Sequence, residues 1–383
     1  MAGGNEVLDW LGGQHDAMVD LLGRLVNTDS GSYNKAGVDR VGEIIREFLS
    51  GFGITCEIIP QERFGDSIRA RIGPIGNTAP ILLLGHRDTV FPDGEAARRP
   101  FRVEGGKAYG PGVADMKAGL VMNSFVMAAF ARAGAPIPMI ALYTSDEEIA
   151  SPASRPVIEA EARGVRAVFN AEPGRLNNNV VTGRKGGVFM KLTVRGKAAH
   201  SGVNFQDGIS AIEELARKTT ALHALTDLSI GTTVNVGLIS GGQSVNTVAA
   251  EASAEIDLRY VEPPQREAAL SAIQAIVNRS FVPGASAELT IAGEFVPLVQ
   301  TPASEAMFNA YVAASAELGQ TVDGEFAGGC ADSGFTSALG TPTVCSTGPC
   351  GAKVHSPDEF LLVDTLVPRA QALALTIQQL EPA

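Results

Sequence analysis

The stretch Ala79–Val90, APILLLGHRDTV, decides how the chain is read. Ile81 to Leu84 are consecutive aliphatic residues, the pattern of a strand buried on both faces. In an open parallel sheet, side chains just past the carboxyl ends of the strands converge on one crevice. At that end this strand delivers His86 and Asp88.

Three further apolar runs end the same way. MIALYT (139–144) runs into Ser145-Asp146-Glu147-Glu148, AVFNA (167–171) into Glu172, and PTVC (342–345) leads through a Gly/Pro loop to His355. Runs that finish in acids and imidazoles at one sheet edge build a shared polar site. Between the first two lies AYGPGVADMKAG (108–119), a tight loop with Asp115 immediately before a helix. A carboxylate there is favoured as a cap and by the helix dipole, and capping alone would account for it. Taken together, His86, Asp115, Glu148, Glu172 and His355 offer two imidazoles and three carboxylates without a cysteine. That mixed nitrogen and oxygen set, with one carboxylate able to bridge, suits a pair of zinc-like ions.

Outward from these runs, helical and strand periods alternate. Helices are expected near 15–26, 37–52, 116–133 and 154–162, and strands near 55–60 and 67–73. The expected fold class is α/β, a mainly parallel mixed sheet with helices on both faces. From residue 183 the style changes to strand, helix, strand, strand, helix, strand, a ferredoxin-like βαββαβ order read as an inserted α+β domain. After residue 295 the first style resumes. The expected domains are therefore 1–182 with 295–383, and an insert of 183–294.

Composition narrows the function classes. The chain has 383 residues, 45% of them apolar, enough for two or three domains. Its formal charge of −12, without a Lys/Arg run, argues against a nucleic-acid partner. Acids stand where a secretory signal would carry basic residues, and no apolar stretch approaches the span of a bilayer. A cytoplasmic protein without a membrane partner is expected. Cys56, Cys330, Cys345 and Cys350 form no CxxC pair, so free thiols are expected.

Six stretches, GHRDTV, FRVEGGKAYGPGVADMKAG, TSDEE, NAEPG, RGKAAHSG and VHSPDE, resemble in order and spacing the M20 family of dinuclear zinc peptidases and deacylases, within it the glutamate carboxypeptidase-like members. The resemblance implies that His86, Asp115 and Glu172 hold one Zn2+ and that Asp115, Glu148 and His355 hold the other, Co2+ or Mn2+ being possible substitutes. It implies that Asp88 accepts the free N–H of His86, that Glu147 is the general base, and that the peptide after Asp115 is cis. His200 would reach the active site of a partner subunit to stabilise the oxyanion, which implies a homodimer through the insert. Asn246 would contact the substrate carbonyl region, and Arg259 would grip a terminal carboxylate, with Arg184 and Lys185 adding positive charge.

Each of these has a plainer reading. His200 also fits a turn residue, Arg259 a partner of Asp257 or Glu255 across a strand face, and Arg184 with Lys185 a solvated pair. Arg87, a cation beside His86, either draws in an anionic substrate or points outward. The segment IAGEFVPLVQTP (291–302) lacks an arginine associated with glutamate-selective relatives. The activity implied is hydrolysis of the amide between an acyl or peptidyl group and a C-terminal amino acid with a free carboxylate. The alternative is an N-acyl amino acid deacylase of acetylornithine or succinyl-diaminopimelate type, and a more distant one is a binding protein on the same scaffold.

Overall fold

The computed structural model describes residues 3–74 and 78–380. The chain divides into two compact units, one drawn from Met1–Gly183, Leu298–Ala327 and Ala331–Ala383, the other from Arg184–Pro297 with Gly328–Cys330. The short return of Gly328–Cys330 to the second unit has a local cause: Arg259 Nη1 donates to Cys330 Sγ at 2.7 Å.

In the first unit an eight-stranded sheet runs, in spatial order, Cys56–Ile59, Ser67–Ile72, Met139–Thr144, Ile81–His86, Ala167–Asn170, Thr343–Cys345, Val180–Arg184 and Gly324–Ala327. The third to sixth of these are mutually parallel. Antiparallel pairs flank them. Every residue of Ile81–His86, Met139–Thr144 and Ala167–Asn170 is buried, which is why these segments are unbroken apolar runs. All the polar chemistry is thereby displaced to the strand ends.

Helix Ala118–Arg132 packs on two of these strands and is buried from Ala118 to Phe130. Joined to the preceding turn it spans Val113–Arg132, the one described helix long and apolar enough to cross a membrane, so the sequence does contain such a stretch. It lies 94% inside the protein, and its apolarity is that of a core helix. Phe125 meets the rings of Phe48 at 4.6 Å and Trp10 at 5.9 Å, which fastens this helix to helix Lys35–Ser50 and to the N-terminal helix Gly3–Gly12. A small antiparallel sheet of Gly351–Ala352, Phe360–Leu362, Lys107–Tyr109 and Arg102–Glu104 ties the segment before Asp115 to the segment around His355.

The second unit is a four-stranded antiparallel sheet in the order Thr233–Gly241, Glu251–Tyr260, Gly186–Arg195, Ser286–Phe295, with helices Ala211–His223 and Pro263–Asn278. It has its own apolar core, including Val188, Leu192, Ile256, Leu258 and Ile273. Lys218 is fully buried there; its ammonium pairs with Glu214 at 2.9 Å and donates to the carbonyls of Ile276 and Val277, satisfying the open end of the second helix.

Candidate metal centre

Two glycines set the spacing of the site. A Cβ on Gly85 would lie 2.6 Å from Met116 Cε, and one on Gly119 would lie 2.0 Å from the Ala171 carbonyl oxygen. Their absence lets the start of helix Ala118–Arg132 sit directly against the ends of the strands that carry His86 and Glu172. Asp115 is thus delivered between those two side chains. The Asp115-Met116 peptide is cis. Buried Glu359 fixes the same turn by accepting the N–H groups of Ala114 at 2.8 Å, Asp115 at 3.0 Å and Gly112 at 3.2 Å.

The adjacent acids Glu147 and Glu148 occupy a single helical turn, Glu147–Ile149, followed by Ala150 and Ser151, both in the left-handed region. Two buried carboxylates hold this turn. Asp88 accepts from Glu147 N at 3.1 Å, Glu148 N at 3.2 Å and Ser32 Oγ at 2.7 Å. Asp146 accepts from Ala153 N at 2.6 Å. His355 is also left-handed, at φ 60°. Non-glycine residues persist there only where surrounding contacts dictate the conformation.

The side chains meet as follows. His86 Nε2 lies 3.3 Å from Asp115 Oδ1, 3.7 Å from Glu172 Oε1 and 3.9 Å from Glu147 Oε2. His355 Nε2 lies 3.0 Å from Glu148 Oε2 and 3.4 Å from the other oxygen of Asp115. Asp115 therefore faces one imidazole with each oxygen. Among the described residues, His86 with Asp115 and Glu148, and His86 with Glu147 and Glu172, form groups whose ligand atoms all lie within 4.8 Å. His86 Nδ1 is 3.0 Å from the Asp88 carbonyl oxygen and 3.4 Å from its carboxylate. A carbonyl only accepts, so Nδ1 carries the proton and Nε2 faces the acids. The nearer partner of His86 is thus the Asp88 backbone, while the Asp88 carboxylate chiefly holds the Glu147–Glu148 turn.

Burial and crowding move the titrations. Burial pushes Glu148 up to about 7 against the pull of His355, and it carries Glu147 well above the usual carboxylate range. Burial also acts on Asp115, but the two imidazoles outweigh it and hold that carboxyl low. Hydrogen bonds to Asp115 and Glu148 raise His355 to about 10. Acids outnumber imidazoles, and the buried His86 Nε2 and Glu148 Oε1 have no hydrogen-bond partner. Buried charge of one sign needs compensation, so this donor set fits divalent cations.

The second unit holds the other candidates. Arg259 donates to both oxygens of Asp257, at 2.8 and 3.0 Å, as well as to Cys330, and stacks 5.1 Å from the Phe189 ring centroid. The plainer reading of Arg259, a pair with Asp257 on the same strand face, is the one present here. Arg184 is buried and donates to the Gly329 carbonyl at 3.1 Å, and Lys185 donates to the Gly231 carbonyl at 2.6 Å. They are therefore not the solvated pair weighed from sequence. His200 and Asn246 are exposed on neighbouring turns: His200 bridges to Thr247, and its Nδ1 accepts from Gly202 N at 3.1 Å. The four cysteines are free thiols.

Arg87 requires a correction. It neither points outward nor faces an incoming anion; it is fully buried and donates to the carbonyls of Val38 at 2.9 Å, Thr144 at 3.2 Å and Asp66. Asp332 was not anticipated. It looks like a helix cap in GGCADSGF, yet it is buried, accepts from Ser151 Oγ and from Thr144 Oγ1 at 3.4 Å, and is pushed by burial up to about 7. Glu359 ends the stretch VHSPDE, whose spacing assigns it no role. Both act through long-range contacts that local spacing does not carry.

Carboxypeptidase G2 of Pseudomonas sp. (strain RS-16) is 26% identical over 94% of this chain and 88% of its own length. An acetylornithine deacetylase of Proteus mirabilis (strain HI4320) is 25% identical over 94% of this chain and 96% of its own. The crystal structure of the M20 family metallo-carboxypeptidase Sso-CP2 from Sulfolobus solfataricus shares the fold, with a TM-score of 0.78 over 96% of this chain and 98% of that one at 17% identity. The family model for peptidase family M20/M25/M40 matches residues 82–379, a span that takes in every candidate ligand, and the chain belongs to that family of hydrolases.

Proposed function

We propose that this hydrolase cleaves the amide joining an acyl or peptidyl group to a C-terminal amino acid with a free carboxylate, using two zinc ions. The observation that carries the reading is that one oxygen of Asp115 faces His86, which has Glu172 beside it, while the other faces His355, which has Glu148 beside it. When bound, the ions would supply Lewis-acid polarisation of the substrate carbonyl and an acidified water. Asp115, His86 and Glu172 would hold one ion, and Asp115, Glu148 and His355 the other.

Glu147 is the base. Its turn is held by Asp88, and burial favours its protonated form, so it can take a proton from water and hold it until the amide nitrogen leaves. Arg259 supplies the grip on the free carboxylate, after exchanging Asp257 for the substrate, and Asn246 orients the acyl carbonyl. Arg184 braces the Cys330 loop next to Arg259. His200 acts in a second copy of the chain.

The homodimer reading is supported by apolar side chains on the second unit, where Val203, Leu238, Ile239 and Val245 are 60% exposed or more. Leu238 and Ile239 lie on an edge strand. If His200 acts in trans, mixing His200→Ala and Glu147→Gln proteins recovers part of the activity. Exchange-competent dimers that recover none reject that role.

The match to acetylornithine deacetylase favours a second reading, removal of a small acyl group from an amino acid. Side-by-side hydrolysis of N-acyl-glutamate, N-acetyl-ornithine and dipeptides by the zinc-loaded protein separates the two. Turnover should vanish on chelation and return with zinc. Turnover indifferent to amidation of the terminal carboxylate rejects the role of Arg259.

A further inference from the structure

A concave pocket of about 450 Å³ opens beside Glu148, within the first unit, between the segments 31–34 and 89–93. Its walls are built. Gly31 bridges to Thr89, Asn34 Nδ2 donates to Asp93 Oδ1 at 2.6 Å, and Ser32 is tied to the Asp88 carboxylate that holds the Glu147–Glu148 turn. The pocket is therefore a fixed extension of the candidate metal centre.

Its lining is mostly apolar: Tyr33, Val90, Phe91, Pro92 and Ile149. Tyr33 is 69% exposed and Val90 is 43% exposed, so two large side chains present unburied apolar surface inside a concavity. Apolar concavities with few polar groups are the usual form of a small-molecule site. The charged groups of the lining are Asp93 and Glu148, both acids. Two arginines lie close by, and both are engaged: Arg63 stacks on the rings of Tyr33 and Phe64, and Arg99 stacks on Phe91 and is held by Glu95.

We infer that this pocket receives the acyl half of the substrate and selects a bulky, uncharged, preferably aromatic group. This rests on the proposed amide hydrolysis. The leaving amino acid carries a free carboxylate and needs a cation, which this lining does not offer; Asp93, the lining acid not assigned to a metal, repels a second carboxylate on the acyl group as well. The other half of the substrate, if apolar, buries Tyr33, Val90 and Ile149, and an aromatic acyl group adds ring contacts with Tyr33 and Phe91.

The test uses one amino acid bearing N-acetyl, N-benzoyl, N-butyryl or N-succinyl groups, with the zinc-loaded protein. kcat/KM for the benzoyl substrate should exceed that for acetyl by about tenfold, and succinyl should fall about tenfold below butyryl. Tyr33→Ala, at an exposed position, should remove most of the benzoyl advantage while changing acetyl less than about twofold. Val90→Trp, which fills the pocket, should do the same. Calorimetric binding to the zinc-loaded Glu147→Gln protein should show the same order of affinities without turnover. Equal rates and affinities for benzoyl and acetyl, a succinyl preference, or equal losses on all substrates in both variants would overturn the pocket assignment. Absence of hydrolysis of any N-acyl amino acid would instead reject the proposed activity, leaving the binding order to judge the pocket.

Discussion

Arg87 was legible as a cation beside His86 and illegible in its purpose, because its three carbonyl partners lie 21, 49 and 57 residues away along the chain. Replacing it with Met removes all three side-chain hydrogen bonds, although its backbone N–H still donates to the Thr144 carbonyl, and we expect a loss of about 3 kcal/mol in unfolding free energy, read from urea denaturation. A stable Arg87→Met protein with an altered preference for anionic substrates would contradict the structural role. Glu147→Gln should lower kcat by about 10²- to 10⁴-fold while metal analysis finds the ions retained. Unchanged turnover removes Glu147 from the role of base. Asp332 yields a pH dependence. Its carboxyl titrates at about 7 in the folded protein, above the ordinary carboxylate value, so the native state binds the proton more tightly than the unfolded chain. Its contribution is complete below about pH 4 and is lost as pH rises through about 7. The unfolding free energy of chelator-treated protein should therefore fall over that window, and fall less in Asp332→Asn.

At the scale of elements, the buried strands were legible because a strand covered on both faces has no polar side to confuse its pattern, as in Ile81–His86 and Met139–Thr144. The small sheet around Lys107–Tyr109 and Phe360–Leu362 was not, since strands of two or three residues are set by their partners rather than by periodicity. Helix Ala118–Arg132 shows how an element places chemistry. Its first turn abuts the Ala171 carbonyl with no room for a Cβ on Gly119. Gly119→Ala must push the helix and the Ala171–Glu172 strand end apart. We expect a stability loss of about 1–3 kcal/mol together with weakened zinc affinity, measured by denaturation and by metal competition. A variant that loses neither shows that the packing does not position the site.

For the whole molecule, the change in pattern near residue 183 falls where the second unit begins, and His86, Glu148, Glu172 and His355, four of the candidate ligands, stand beyond the ends of apolar runs. What sequence did not carry is the support behind them: Glu359 beneath Asp115, Asp88 beneath the paired glutamates, Asp332 beneath Ser151. These are contacts between loops far apart along the chain, each made by a residue type common in turns. If the proposed ions bind the folded state and not the unfolded chain, zinc at a hundredfold excess over its dissociation constant stabilises the protein by about 2.7 kcal/mol per site, lost on chelation. The most direct test of the central claim is anomalous diffraction from crystals grown with zinc. Two peaks per chain are predicted, one about 2.0–2.2 Å from atoms of His86, Asp115 and Glu172, the other at that distance from Asp115, Glu148 and His355. No peak, or peaks that leave Asp115 without a metal, would contradict it.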